Sequence, residues 1–537
     1  MTCGKTINDI VECMQQLVMP GSPEPEDPTI LSQLRQLTQD LIEAYKSSGR
    51  LQGDPFYDAW TRPVHLYEED VKQQLQGKVV LVTGGEGFVG TCLIKKLVAL
   101  GADRVISVDK ARYGTANAET IRGIADNVIL HVVDVRNYDD LKLIFETERP
   151  QLVFHLAAQR LPGLAEQQIR ETVTSNIFGT QNVIHLCEEY GVEQCMFSST
   201  GKASRYFTAE VYAASKKVAE WLFQQATRNG RVQYGMVRFT HMLDNSSMCE
   251  QIDNKIQAGR PVNIHAPDRY VVGQNVGEAV NLLLNGLVLS EPGTLKFLLV
   301  RNLGWPTESL EVALYKILES GKDLPIYFQG IIPGYEESFF LGQVDWDDQL
   351  EINTLINALE TSYRMGISSS NDMIIAEPFP FTEAVLVEQL PQLKRLCDNT
   401  DVLEADIKKK LADLVRAVSQ TNFEHASAKR VLQVLRWGVN PKQHQKGDLN
   451  LAHYKDIIEI LVRSLSHSLS QDVLNDCCMS WEDFNNLLDV LETLPAVVPE
   501  VIQMRQVLAS WSVCKHNPQE NPRELLIIGE PDAQDVA

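Results

Sequence analysis

The chain has no CxxC pair and no cluster of histidines and cysteines at zinc-ligand spacing. Its ten cysteines are scattered over 537 residues, and the one close pair, Cys477 and Cys478, is adjacent, which suits neither an ordinary disulfide nor a metal knuckle. Free thiols in a reducing compartment are expected. No apolar run approaches the length of a membrane span. The opening MTCGKTINDIVECMQQL carries acids inside its apolar pattern, unlike a signal peptide, so a cytoplasmic location is expected. Basic charge is scarce: 49 Lys and Arg stand against 71 Asp and Glu, a formal net charge of −22. That balance argues against broad binding to nucleic acid or anionic membrane and leaves room for a local basic pocket for a phosphate. No repeat of fixed period is present, which argues against a solenoid. Nor is the chain short of apolar residues: at 44% hydrophobic and 22% charged it is not a disordered or collagen-like sequence.

The length predicts several domain-sized units. Residues 1–76 read as a helical extension: Ile7, Ile10, Val11, Met14, Leu17 and Val18 share one helix face, the Pro- and acid-rich stretch 19–28 breaks it, and Ile30, Leu31, Leu34, Leu37, Leu41 and Ile42 form a second stripe. Two short helices bury little alone, so this part is expected to pack on something. From Gly77 short β-rich runs alternate with helical patterns: 79–83, 104–109, 128–134, 151–157, 194–199 and 234–239 against 88–100, 117–124, 138–147, 168–188 and 211–229. Continuous Val/Ile/Leu strands separated by helices predict an α/β fold, a Rossmann-like doubly wound parallel sheet, over 77–355, with a small substrate subdomain at about 240–350. Residues 356–514 read as all-helical, with Ile407, Leu411, Leu414, Val415 and Val418 at clear helical steps, and 515–537 as a flexible tail.

The first strand runs into Thr83-Gly84-Gly85-Glu86-Gly87-Phe88-Val89-Gly90, a TGxxGxxG turn opening a helix. Gly84 permits the tight turn, Gly87 lets the backbone approach a pyrophosphate, and Gly90 allows close helix–strand contact, while the helix N-terminus offers N–H groups to the anion. Asp109 ends the next strand, 19 residues past Gly90, where a carboxylate can bond both ribose hydroxyls and favours NAD. Lys110 and Arg112 could instead neutralise the 2′-phosphate of NADP. Asp134, followed by Val135, is placed for the adenine amino group or for a helix N-cap.

Tyr212-Ala213-Ala214-Ser215-Lys216 opens the helix after the fifth strand, and i, i+4 residues share a helix face. An ammonium there, with the positive ring of a cofactor, is expected to lower the phenol toward neutrality and make it a base. Thr200, at the carboxyl end of the fifth strand, points to the ligand crevice and can bond the reacting oxygen; Ser198 and Ser199 fit turn and capping roles better.

TGxxGxxG, HLAA at 155–158, Asn176, SST at 198–200 and YxxxK resemble the extended short-chain dehydrogenase/reductase superfamily. Residues 134–160, 174–184, 198–203 and 212–220 look most like its polysaccharide-biosynthesis branch of nucleotide-sugar 4,6-dehydratases and epimerases, and PGYEE at 333–337 echoes a late motif of that branch. The resemblance covers about 77–350. It implies cofactor contacts also from Ala157, Ala158, Asn176 and Lys216, and a hydride cycle at sugar C4 with Tyr212 as base, Lys216 tuning it and Thr200 orienting the hydroxyl. It further implies a Lys that removes the C5 proton, matched by Lys202, and an Asp that protonates the leaving C6 oxygen, where this chain has Gly201. Ile332 stands where the branch carries an Arg that clamps a diphosphate, and His241 where an Asn touches the substrate. Arg160, Arg238 and Arg269 remain as candidate anion ligands.

Three functions follow as expectations. First comes an NAD(P)-dependent dehydratase or epimerase of a nucleotide-sugar. Close behind is a reductase or dehydrogenase of another small metabolite, favoured by the missing Asp and Arg. The third, of a different class, is a cofactor-binding scaffold whose C-terminal helices hold a partner. A homo-oligomer is expected, because related folds often dimerise through two long helices, here about 168–188 and 211–229.

Overall fold

The computed structural model describes residues 6–110, 121–347, 352–441 and 450–515, side chains up to 510. Two compact units divide the chain. One takes in everything up to Phe339 together with Gln343–Asn422, the other Phe340–Gly342 and the chain from Phe423.

The first unit is built on a sheet of nine strands. In chain order they are β1 (Val79–Thr83), β2 (Arg104–Asp109), β3 (Val128–Val132), β4 (Leu152–His155), β5 (Gln194–Thr200), β6 (Gln233–Phe239), β7 (Lys296–Val300), β8 (Met365–Ile367) and β9 (Met373–Ala376). The spatial order is β8-β9-β7-β6-β5-β4-β1-β2-β3. β1 to β7 pair in parallel, and β8 and β9 add an antiparallel edge. The doubly wound sheet read from the sequence is therefore present. β1 lies between β2 and β4, so the connections leave in opposite directions there and open a crevice at the carboxyl ends of the strands. Val80, Leu81, Val82, Val153, Phe154, Cys195, Met196 and Phe197 are wholly buried, as a sheet covered on both faces requires.

Five helices position the site. α1 (Ile7–Leu17) starts with a Thr6/Asp9 capping box, and α2 (Pro28–Ser47) has Asp27 as N-cap and Pro28 at its first position. These two pack on the part of the unit that follows β6: Ile10, Met14, Leu34 and Leu41 share a core with Ile252, Ile264, Leu314 and Phe328. Tyr45 donates to Glu308 at 2.8 Å, and the backbone amide of Ile326 donates to Thr38 at 2.9 Å. α3 (Phe88–Ala99) follows the glycine turn, α4 (Thr180–Tyr190) precedes β5, and α5 (Val211–Asn229) follows it.

The stretch 168–188, expected as one helix, is broken. Ile169–Val173 is followed by a π-helical turn, Thr174–Gly179, and only then by α4. Asn176 in that turn accepts the amide of Gln159 at 2.8 Å and donates to Gln159 O and to Ser215 Oγ, tying the widened turn to its neighbours. The outward faces of these helices are covered by α6 (Glu383–Asp398) and α7 (Glu404–His425, whose residues up to Asn422 belong to this unit). Ile169, Val173, Phe178, Val218, Trp221 and Leu222 form one core with Leu386, Leu390, Leu393, Ile407, Leu411, Leu414, Val415 and Val418. The apolar positions suited to a second copy are thus buried within the chain.

The second unit is helical, with Ala428–Val439, Lys455–Ser468, Trp481–Leu491 and Val498–Lys515 as its longer helices. Leu432, Leu435, Ile458, Leu461, Phe484 and Leu488 are buried in it. Phe340 lies against Gly438, where a Cβ would come within 2.0 Å of the ring. Among the described residues no helix is long and apolar enough to cross a membrane.

Candidate active site

A cavity of about 710 Å³ follows the crevice. One end is the glycine turn. Gly84 has φ +73°, and a Cβ on it would meet Ala157 N at 2.7 Å. A Cβ on Gly90 would stand 2.3 Å from Gly84 O, so the helix packs directly on the turn. At Gly87 the nearest atom is Gly84 O at 3.1 Å, leaving that position open to the cavity. Gly87 is also the N-cap of α3 and makes no side-chain cap, so the first-turn amides, Phe88 and Val89 among them, face the cavity without a capping acceptor. The cradle fits the pyrophosphate of a dinucleotide.

Asp109, Lys110, Asp134, Val135, Ala157 and Ala158 line the same cavity. Asp109 accepts the Glu86 amide at 3.2 Å. Lys110 is committed to Glu171 at 2.5 Å, which draws its charge away from a 2′-phosphate. Asp134 is bonded by Arg136 at 2.6 Å; burial pushes its carboxyl up, and the Arg136 bonds bring it below its usual range. Arg112 lies outside the described residues. Asn176 is not in the lining; its side chain is spent on Gln159 and Ser215.

At the middle of the cavity stand Ser198, Thr200, Lys202, Tyr212 and Lys216. Thr200 ends β5, and its hydroxyl accepts the Lys202 amide at 3.3 Å. The Tyr212 phenol is raised above its ordinary value: burial dominates, and Thr200 and Arg160 only partly oppose it. The lowered phenol expected from the YxxxK step counted on the positive ring of a bound cofactor as well as the ammonium; Lys216 itself turns to Ser198 O at 2.6 Å and sits over the Phe197 ring at 4.1 Å. Burial lowers Lys216 itself to about 7. Below it His155 is wholly buried between the hydroxyls of Thr83 and Thr180, at 2.7 and 2.9 Å, and burial with the Lys216 charge pushes it down to about 3, so it is neutral.

Lys202 lies in an ionic knot. It donates to Glu210 at 2.7 Å and to Gly334 O at 3.1 Å, and lies 5.1 Å from the Tyr335 ring centre. Arg205 bridges Glu210 at 2.9 Å and Glu337 at 2.5 Å. The PGYEE stretch thus supplies Gly334, Tyr335 and Glu337 to the floor of the site. Glu210, two residues before Tyr212, was not singled out in the sequence; its acidity next to YxxxK is the one local signal. Beside this knot Gly201 is buried against Leu355, whose Cδ2 is 2.1 Å from where a Cβ at 201 would be. Nothing in the irregular stretch around Leu355 marks that contact.

At the far end Arg160, His241, Arg269 and Ile332 line the cavity. His241 pairs with Ser246 at 2.7 Å, and burial lowers its pKa. Arg238, the third candidate anion ligand, does not reach the lining. It is 1% exposed, closed between Glu220 at 2.8 Å and Glu360 at 2.7 Å.

A doubly wound sheet with a glycine turn at its switch point, and Thr200, Tyr212 and Lys216 on the facing strand and helix, defines a unit of the short-chain dehydrogenase/reductase class. Residues 80–344 match the family described as polysaccharide biosynthesis protein. The probable polysaccharide biosynthesis protein EpsC of Bacillus subtilis is 27% identical over 287 residues, 51% of this chain and 47% of that protein. The uncharacterized membrane protein MJ1061 of Methanocaldococcus jannaschii is 30% identical, covering 42% of this chain and 67% of its own. The dTDP-glucose 4,6-dehydratase of Neisseria gonorrhoeae is 34% identical over 26% of this chain and 41% of its own. The chain belongs to the polysaccharide-biosynthesis family of short-chain dehydrogenase/reductase proteins, with nucleotide-sugar dehydratases among its relatives. It spans about half the length of the Bacillus protein and of the capsular polysaccharide biosynthesis protein CapD of Staphylococcus aureus, 47% and 54%.

Proposed function

We propose that the protein is an NAD-dependent nucleotide-sugar epimerase that oxidises and re-reduces the sugar at C4 without expelling water. The observation that carries this reading is the packing at Gly201. Dehydration needs a proton donor for the departing C6 oxygen, and the family resemblance puts that donor at position 201. Here the position is glycine and its side-chain space is taken by Leu355. The nearby carboxylates are poor substitutes. Burial pushes Glu210 up, but Arg205 and Lys202 more than offset this and hold it ionised. Glu337 is paired with Arg205 and accepts the Ala209 amide at 2.7 Å. Lys202, anchored between Glu210 and Gly334, belongs to the floor of the site in this reading and takes no proton from C5.

In this reading the pyrophosphate of NAD lies on Gly84, Gly87, Gly90 and the Phe88 and Val89 amides. Asp109 takes the adenosine ribose, Asp134 and Val135 border the adenine, and Ala157, Ala158 and Lys216 border the nicotinamide half. The engagement of Lys110 by Glu171 favours NAD over NADP. When bound, the oxidised dinucleotide supplies a hydride acceptor whose positive ring opposes the upward push of burial on Tyr212. Tyr212 takes the proton of the C4 hydroxyl and returns it after the sugar has turned its other face; Thr200 holds the oxygen. Oxidant and reductant are regenerated within the cycle, so nothing is consumed. Arg160 and Arg269, neither ion-paired among the described residues, are the cations offered to a diphosphate, and His241 borders the sugar.

The test is to incubate the full chain and NAD with UDP-glucose and with UDP-N-acetylglucosamine and to follow the products by proton NMR. The C4 epimer at unchanged mass supports the reading, with Tyr212→Phe inactive but still binding NAD. A product lighter by one water, or no conversion of either sugar, overturns it.

A further inference from the structure

The hairpin of α6 and α7 lies beyond the family match at 80–344, and so far its one role is to cover apolar helix faces. Its contacts with the site are ionic and specific. Glu404 and Lys408 stand one turn apart on α7, on one face. Glu404 accepts the amide of Arg170 at 2.7 Å. Lys408 donates to Glu166 at 2.6 Å, and the other oxygen of Glu166 accepts the amide of Val211 at 2.7 Å. Val211 is the first residue of α5, and Tyr212 is the second.

α5 makes no side-chain cap of its own. Its N-cap residue, Glu210, spends its carboxylate on Lys202 and Arg205. The free amide at the start of the helix is therefore capped from outside, by Glu166, whose side chain is only 5% exposed. A carboxylate so enclosed is held in place by a second partner, and Lys408 supplies it. The hairpin has little freedom to withdraw. The Arg170 guanidinium gathers the carbonyls of Leu396, Cys397, Asn399 and Val402 in the connection between α6 and α7. Ser419 donates to Tyr206 O at 2.5 Å, just ahead of α5.

We propose that Lys408 and Glu166 are positioning residues that fix the start of α5, and with it Tyr212, at the cavity, so that 383–422 is part of the catalytic unit. The proposal rests on the reading of Tyr212 as the proton-transfer group.

The experiment uses the full chain with Lys408→Met, Lys408→Arg and Glu166→Gln. Hydrogen exchange at Val211 and Tyr212 is measured without substrate, and turnover is measured with NAD and UDP-glucose or UDP-N-acetylglucosamine. In Lys408→Met exchange at those two amides quickens about ten-fold while β5 is unchanged, and kcat falls about ten-fold at unchanged KM and NAD affinity. Glu166→Gln goes the same way, and Lys408→Arg restores both readouts. Wild-type exchange at Val211 and Tyr212 in Lys408→Met overturns the proposal, as does a kcat loss that Lys408→Arg fails to rescue. A wild-type protein that converts neither sugar sinks the functional reading alone, and the exchange result then decides whether the pair holds the helix.

Discussion

Leu355 fills the space beside Gly201: its Cδ2 lies 2.1 Å from where a Cβ on that glycine would stand. The two residues are far apart in sequence, and their contact decides what the centre of the cavity can do. An acid at position 201 would have to push the end of the Leu355 side chain aside. Gly201→Asp alone should therefore cost about 1–3 kcal/mol through overpacking, read as a lower midpoint in urea. Gly201→Asp should cost less in a Leu355→Ala background than in the wild type, because the shared space is relieved. An equal cost in the two backgrounds would mean that Leu355 does not set the constraint.

Two glycines of the turn should separate binding from folding. At Gly87 a side chain meets only Gly84 O, at 3.1 Å, and projects toward the cavity, so Gly87→Val should fold and lose NAD binding. At Gly90 a Cβ falls 2.3 Å from Gly84 O, so Gly90→Val should lower the melting temperature itself. Calorimetric titration with NAD and thermal unfolding of both variants check this. Normal NAD binding by Gly87→Val would remove the turn from the site.

Burial lowers Lys216 to about 7 and Lys217 to about 8. Both start from an ordinary lysine value of 10.5, so between these limits the unfolded chain binds protons that the folded chain refuses. Their contribution to stability therefore rises with pH through that window and levels off below it. Lys217 donates to Ala203 O away from the cavity lining and can be changed without touching the reacting groups. Lys217→Met should flatten the rise in unfolding free energy between about pH 7 and 9.5 by about 2 kcal/mol. Urea titrations at the two pH values measure it.

The raised Tyr212 phenol carries a kinetic consequence. Proton removal from the substrate requires the ionised form, so kcat/KM should climb with pH from neutrality into the alkaline range. Tyr212→Phe should lower kcat about a hundred-fold or more and abolish that climb, with NAD affinity nearly unchanged. A pH profile that is flat in the wild type would assign the proton transfer to another group.

Much of this site is legible in short stretches of sequence, because strands, the glycine turn and the i, i+4 step of Tyr212 and Lys216 are local patterns. β1, β2 and α5 fall on the very residues their periodicity marks. What was not legible depends on contacts between distant residues. The pull of Ser198 O on Lys216, the Leu355 plug and the knot of Lys202, Arg205, Glu210 and Glu337 have no period and no fixed spacing. The apolar faces of 168–188 and 211–229 suit a second copy in the sequence, because periodicity shows that a face is apolar and not what covers it. Here α6 and α7 cover it. Arg238 appeared free for an anion for a similar reason: Glu360, its second partner, lies outside any motif.

The most direct test follows a deuterium label placed at C4 of UDP-glucose through turnover by the NAD-loaded full chain. The expected product is inverted at C4, keeps the deuterium there and retains its C6 oxygen. A product one water lighter, with the deuterium moved to C6, would contradict the account, because it would mean that a proton donor serves the C6 oxygen despite Leu355 lying over Gly201.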